Sequence, residues 1–450
     1  MVCQGGKLVG ILAGSVKDAV VNQELPILQA EIEASRRLGK WRMQREAQKL
    51  LPDERVAFCM RRMKATSVDV MYAPAFKSAH YDGLMVCGSV WVCPLCAAKI
   101  SERRRVELER AIASWIARGG AVYLATYTIA HKHYDDLPSL LHSFLTARKK
   151  ARQGRAAQNI RKQFGVVGTV SVREVTWSKQ NGWHPHCHEL VFCSSEIVLE
   201  EYDQMVREQW RKSVEREGLS INEHGFKLDR TYGAVGDYIA KFGREPVRAS
   251  WSTASELTKS HLKHGRDEEH LTPFSMLHLI AQGRCELKPV FKQYAQCFKG
   301  KHQLVWSSGL RALLLNAVEE KSDVELAQEP EQEEKILLGQ LDRKQWNLVL
   351  ANEARGKLLE VARSGDWEKV QAFLDDIDAT TIDFPTLLGN TVTEKVSSSV
   401  KVGGYNGTDA TTNPTCKPTM LIHKMDCHCQ NCRDVMYDVR EHDGSFLCVF

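Results

Sequence analysis

The stretch Gly182-Trp183-His184-Pro185-His186-Cys187-His188-Glu189-Leu190-Val191-Phe192 constrains this chain more than any other. Two histidines, His186 and His188, stand two residues apart at the head of an apolar run. In a β-strand, side chains two apart leave the same face, about 7 Å from each other along the strand. Both can then reach one metal ion. Leu190 and Phe192 continue that face and Val191 lies on the other, which is the pattern of a buried central strand. Proline has no backbone N–H, so Pro185 suits the first residue of the strand, with His184 just outside it. A lone histidine here would be a satisfied core residue; His-x-His points to metal ligation.

A helical pattern follows at Gly233-Ala234-Val235-Gly236-Asp237-Tyr238-Ile239-Ala240-Lys241-Phe242. Val235, Ile239 and Phe242 fall at i, i+4 and i+7. Tyr238 borders that stripe, and Lys241 is one turn on. A phenol is a usable nucleophile toward phosphorus once a metal neutralises the non-bridging oxygens. A nearby lysine can hold the phosphate or favour the phenolate. Tyr232 is the rival tyrosine. Upstream, Arg173-Glu174-Val175-Thr176-Trp177 alternates like a strand and is joined to the histidine strand by a Lys-Gln-Asn-Gly turn. Asn181-Gly182 is a hairpin signal. A hairpin would bring Glu174 beside the histidines, so Glu174 is the candidate third ligand, with carboxylate chemistry suited to Mg²⁺ or Mn²⁺.

Histidine–hydrophobic–histidine followed by a Tyr-x-x-Lys helix resembles the HUH endonucleases, and more narrowly the rolling-circle replication initiators (Rep proteins) of bacterial plasmids. Tyr123-Leu124-Ala125-Thr126-Tyr127-Thr128-Ile129, with His131 after it, is similar to the Thr-rich first motif of these initiators. Gln303-Leu304-Val305-Trp306-Ser307-Ser308-Gly309-Leu310 looks like a further family segment. The likeness covers roughly residues 55 to 315. It implies an origin-specific nick by transesterification, with Tyr238 joined to the 5′ end and a 3′ hydroxyl released as primer. Related phage initiators carry two tyrosines four apart; here the second position is Phe242, so Tyr238 is the competent nucleophile. The closing cut then needs a second nucleophile, such as an activated water or the tyrosine of a second subunit. The implied partners are plasmid origin DNA, single-stranded or supercoiled, a host helicase and polymerase, and a second copy of the chain. The same chemistry serves transposases and mobilisation relaxases. From another class, a non-catalytic zinc DNA-binding regulator with a structural His pair would share these motifs but leave DNA unnicked.

Cys87-Gly88-Ser89-Val90-Trp91-Val92-Cys93-Pro94-Leu95-Cys96 contains a Cys-x-x-Cys knuckle with a third cysteine before it, the spacing of structural Zn²⁺. Cys59 and His80 are the nearby fourth candidates; thiolates dominate structural zinc sites, which favours Cys59. Arg103-Arg104-Arg105 opens a basic amphipathic helix and is a candidate DNA contact. So are Arg61-Arg62-Met63-Lys64 and Arg148-Lys149-Lys150-Ala151-Arg152, although charge runs are more often solvated helix faces. A second zinc site is suggested by Cys427, Cys429 and Cys432.

The chain has 450 residues, 43% hydrophobic and 26% charged, with a net charge of +5. That is a soluble chain with a mild basic bias and room for several domains. Its 14 cysteines are too few and uneven for a disulfide scaffold of this size. The partly apolar stretch Leu8 to Val21 is broken by Lys17 and Asp18, and no run is long enough to span a bilayer. The expectation is a bacterial cytoplasmic protein with no membrane partner. No Gly-x-x-x-x-Gly-Lys-Ser/Thr loop signals ATP hydrolysis.

The expected architecture is α+β: an antiparallel HUH-type sheet covered by helices, preceded by a Cys-rich module and followed by a helical extension. We delimit a peripheral helical segment at 1–50, the zinc-knuckle module at 51–110 and the catalytic domain at 111–315. An acidic linker with helices follows at 316–385, a disordered linker at 386–420 and a Cys-rich tail at 421–450.

Overall fold

The computed structural model describes residues 31, 33–230, 270–316, 320–329, 334–386, 422–424 and 445–447. The chain divides into two compact units, residues 1–387 and 388–450. In the second unit, two short strands, Ile422–Lys424 and Ser445–Leu447, pair antiparallel.

The first unit starts with helix α1 over residues 33–50. The sequence suggests a peripheral helix here; the structure buries it instead. Met43, Ala47 and Leu50 repeat at helical spacing and enter the core together with Gln44. Strands β1 (Val68–Ala73) and β2 (Ser78–Asp82) follow, then the long helix α2 (Pro94–Ala117). Pro94 sits in the first turn of α2, where its missing N–H would be unpaired anyway.

The next elements are β3 (Ala121–Thr128), α3 (Leu137–Ala151), α4 (Gly154–Gln163), β4 (Val166–Ser178), β5 (Gly182–Cys193), α5 (Leu199–Glu215) and β6 (Phe226–Arg230). After them come α6 (Pro273–Ala281), α7 (Leu287–Phe298), β7 (Leu304–Trp306) and α8 (Leu310–Leu315). The strands form one five-stranded sheet, ordered β6-β3-β5-β4-β7, with every neighbouring pair antiparallel. Alternation along the strands gives it two apolar faces. Tyr123, Tyr127, Cys187 and Val191 pack on Phe144 of α3 and Trp210 of α5. Val122, Leu124, Val172, Leu190 and Phe192 pack on Leu108 of α2 and Leu310 of α8. Each fully buried Val, Leu or Phe among them contributes about 1.5–3 kcal/mol.

The last elements are α9 (Asp323–Gln328), β8 (Ile336–Leu341), α10 (Arg343–Ala351), α11 (Arg355–Ala362) and α12 (Trp367–Thr386). They do not stand apart as an extension. β8 pairs antiparallel with β1, completing a sheet ordered β2-β1-β8. Val68, Val70 and Tyr81 then share a core with Trp346, Val349 and Leu358. The Cys-rich module and the C-terminal helices are therefore one packed body. The acidic run is likewise docked. Arg104 of α2 meets Asp323 at 2.6 Å and Arg103 meets Glu329 at 3.2 Å, while Arg105 pairs with Glu102 and Glu109 on its own helix. These arginines, expected to contact DNA, are taken up by intramolecular pairs, Arg104 at only 5% exposure. Among the described residues no helix is long and apolar enough to cross a membrane.

Candidate metal centres

The hairpin expected from Asn181-Gly182 forms. Ser178 faces Gly182 across a three-residue loop, and Gly182 has φ +72°. A Cβ there would lie 2.7 Å from His133 O, so the position needs glycine on both counts. The register follows from this turn. Glu174 lies opposite His186, and Val172 opposite His188. On the other side, Thr126 lies opposite His188 and Thr128 opposite His186. Glu174, His186 and His188 thus share one face of the sheet, at the end that Leu190 and Phe192 leave uncovered.

The Glu174 Oε2 atom is 2.5 Å from His186 Nε2 and 3.3 Å from His188 Nε2. One ligand atom from each of the three residues falls within 4.8 Å of the others, a spacing that fits one cation. Both Nδ1 atoms are held from behind: His188 by Thr126 Oγ1 at 3.0 Å, His186 by His184 O at 3.2 Å. That second-sphere support presents both Nε2 atoms to the same point. Burial pushes the Glu174 carboxyl up, but the adjacent imidazoles outweigh it and hold it below the usual carboxylate range. The sequence reading missed Thr126; its place in the Thr-rich strand beside the histidine strand was the available signal.

The strand begins at Gly182 rather than Pro185, which puts His184 inside it, on the face of His186. Proline is tolerated for a reason visible in the register. Arg173 and Trp177 send their N–H groups outward, to Gln303 O and Leu271 O, and Val175 is in phase with them. Pro185, opposite Val175, is therefore in a pair without ladder bonds to β4. On its other side, β3 has already ended at Thr128. The His184 ring lies between His131 and His186, with centroids at 4.9 and 5.3 Å. Burial first, and then its histidine neighbours, push His184 down to about 3, so it is a neutral imidazole at the mouth of the site. Tyr238 and Lys241, like Tyr232 and Phe242, lie outside the described residues.

The second group is built from thiols. Cys59, Cys87, Cys93 and Cys96 are all buried, with sulfur atoms within 4.8 Å of one another. Three Sγ–Sγ separations are 3.6, 3.6 and 3.8 Å. Four thiolates at about 2.3 Å from a tetrahedral centre stand ~3.8 Å apart, so the donor set fits a closed four-sulfur site. Cys59, rather than His80, completes it. Supporting groups come from far along the chain. Gln44 Nε2 is 3.5 Å from Cys93 Sγ, and Gln48 Nε2 donates to Cys59 O at 2.9 Å. Arg355 donates to the side chains of Gln44 and Gln48 and to Met60 O. Burial pushes its guanidinium down to about 10. Gly88, at φ +67°, admits Val324 so closely that a Cβ would lie 2.5 Å from it, which lets α9 dock on the cysteine loop. Cys427, Cys429 and Cys432 lie outside the described residues.

Comparison with known proteins gives two relatives. Protein rep of Streptomyces lividans is 28% identical over 300 residues, covering 52% of this chain and 64% of the relative. The neomycin resistance protein of Streptomyces cyanogenus is 28% identical over 173 residues, covering 29% of this chain and 39% of the relative. The chain thus spans less than two thirds of the length of either relative. No family model matches the chain, and no solved structure matches it. The likeness to Rep proteins drawn from the sequence is met by this match: over about half of its length the chain is similar to a protein named Protein rep.

Proposed function

We propose that this protein initiates rolling-circle replication of a bacterial plasmid in the cytoplasm, by nicking one strand of its origin. The observation that carries the reading is the Glu174-His186-His188 group on one sheet face, with its ligand atoms within 4.8 Å. These residues would hold Mg²⁺ or Mn²⁺, which supplies charge neutralisation at the scissile phosphate. The Tyr238 oxygen attacks phosphorus and the bond to the 3′ oxygen breaks. The 3′ oxygen leaves with a proton as a primer hydroxyl, and the 5′ phosphate stays on Tyr238. Lys241, three residues on, favours the phenolate and contacts the phosphate. The bond energy is kept in the phosphotyrosine, so no ATP is needed, and unwinding falls to a host helicase. The closing cut uses Tyr238 of a second copy. The four-cysteine group holds structural Zn²⁺.

The test is incubation with an origin-bearing supercoiled plasmid and Mg²⁺, followed by mass spectrometry of the covalent peptide. The expected result is a nicked circle and an adduct on Tyr238. An adduct on Tyr232, or one persisting in Tyr238→Phe, overturns the nucleophile. Undiminished nicking by the His186→Ala, His188→Ala double variant overturns the metal group.

A further inference from the structure

The run Arg148-Lys149-Lys150-Ala151-Arg152 ends helix α3, and the proposed chemistry uses none of it. The fold gives the run a destination. Arg148, Lys149 and Arg152 line a cleft of about 900 Å³ together with Arg173 of β4 and Lys301, and among the described residues none that lines it is acidic. Beneath them lies one buried carboxylate. Glu189 Oε2 is 2.7 Å from Arg148 and 3.6 Å from Arg152. One carboxylate against two guanidiniums leaves positive charge over. Arg148 Nε has no hydrogen-bond partner among the described residues. Among the described residues Lys149, Arg173 and Lys301 form no ion pair there either, and the Arg173 guanidinium donates to His302 O at 3.4 Å.

With Glu189 offsetting one of the five, four net positive charges remain around the cleft, and they repel one another unless a polyanion lies between them. The cleft is also on the side of the sheet away from the metal group, because Arg173 and Glu174 are neighbours on β4 and point to opposite faces. Among the described residues His142 is the one ring that lines it, so they offer little stacking platform for bases. Lysine and arginine side chains along a groove contact phosphates, which positions a strand without reading its sequence. A cleft of about 900 Å³ has room for a short stretch of one strand.

We propose that this cleft binds the sugar-phosphate backbone of single-stranded DNA, independently of sequence, as a second strand-holding site on the opposite face of the sheet from Glu174, His186 and His188. The proposal rests on the reading of the chain as a DNA-processing protein, but not on the nicking step. Free polyphosphate shares the same chemistry.

The test is fluorescence anisotropy with the full chain and labelled oligo-dT, without added divalent cation, so that no cleavage enters the readout. The Lys149→Glu, Lys301→Glu double variant should bind at least about tenfold more weakly, with a salt dependence shallower by about 1.4 log units per decade, or ~0.7 for each lost phosphate contact. Lys149→Arg, Lys301→Arg should bind like wild type. An unaltered melting curve and zinc content in the Glu variant show that the fold is intact. Unchanged affinity and salt slope in a folded Glu variant overturn the proposal. A strong preference among oligo-dT, oligo-dA and mixed sequences overturns the backbone reading. Loss of tripolyphosphate binding without loss of oligo-dT binding assigns the cleft to free polyphosphate and overturns it for DNA. A nicking-deficient chain that still passes this test would sink the proposed function and leave the cleft standing.

Discussion

The two ligand groups of this molecule satisfy the same distance condition in opposite ways. The four thiols are all buried and come from three separate stretches of chain, at residue 59, residue 87 and residues 93–96. They are backed by α1 through Gln44 and Gln48 and by α11 through Arg355. The Glu174-His186-His188 group comes from one hairpin, with Glu174 and His186 only partly buried. A closed set of four ligands stores binding energy as folding energy, whereas three ligands at an open sheet end leave coordination positions for a substrate. The first group ties distant segments together. The second is presented by a sheet that is already complete.

The sharpest way to break this comparison is Cys93→Ser. Structural zinc is worth roughly 10–16 kcal/mol in isolated fingers, and whole domains have only about 5–15 kcal/mol of net stability. Under the proposed zinc assignment, loss of one thiolate should therefore unfold the body made of α1, β1, β2 and α10 to α12, read as an early transition in thermal melting with loss of the metal. An unchanged melt with zinc retained would put both groups in the same class.

A smaller effect tests the sheet that carries the open group. Glu189 follows His188 and points to the other face, where Ser171 Oγ donates to it at 2.6 Å. Burial pushes its carboxyl up, and Arg148 and Arg152 more than reverse this, holding it below the usual range. A depressed folded pKa gives stability that is present above the unfolded value of about 4.3 and is lost as pH falls through the folded value. Glu189→Gln leaves Arg148 buried without a counter-charge, at a cost of about 3–5 kcal/mol near neutral pH. Denaturant unfolding from neutral pH down to acid should show that deficit shrinking as wild type loses its own ion pair. A deficit constant with pH would mean that the charge is not what Glu189 contributes.

The smallest effect is local to the open group. Thr126→Val removes the 3.0 Å contact behind His188 while keeping size and burial. Second-sphere losses of this kind cost about 10–100-fold in metal affinity. Calorimetric titration with Mn²⁺ should show that drop with an unchanged melting temperature. Equal affinity would mean that the strand alone orients His188.

What could be read from the chain by itself was whatever is encoded at short range. His186 and His188 share a face because side chains in a strand alternate with period two, and Cys93 and Cys96 share a turn because of their spacing. Asn181-Gly182 fixed the hairpin, and the hairpin brought Glu174 opposite His186. Tertiary structure decided everything that depends on segments far apart in sequence. It backed the four thiols with Gln44, Gln48 and Arg355, set Thr126 behind His188, and folded β8 against β1 so that residues 334–386 close over the cysteine module. It also gave Arg103 and Arg104 their carboxylates and left Arg148, Lys149 and Arg152 facing Arg173 and Lys301. The physical reason is that local propensities and periodicities are properties of a few neighbouring residues. Which charge meets which partner depends on the packing of surfaces that no local window contains.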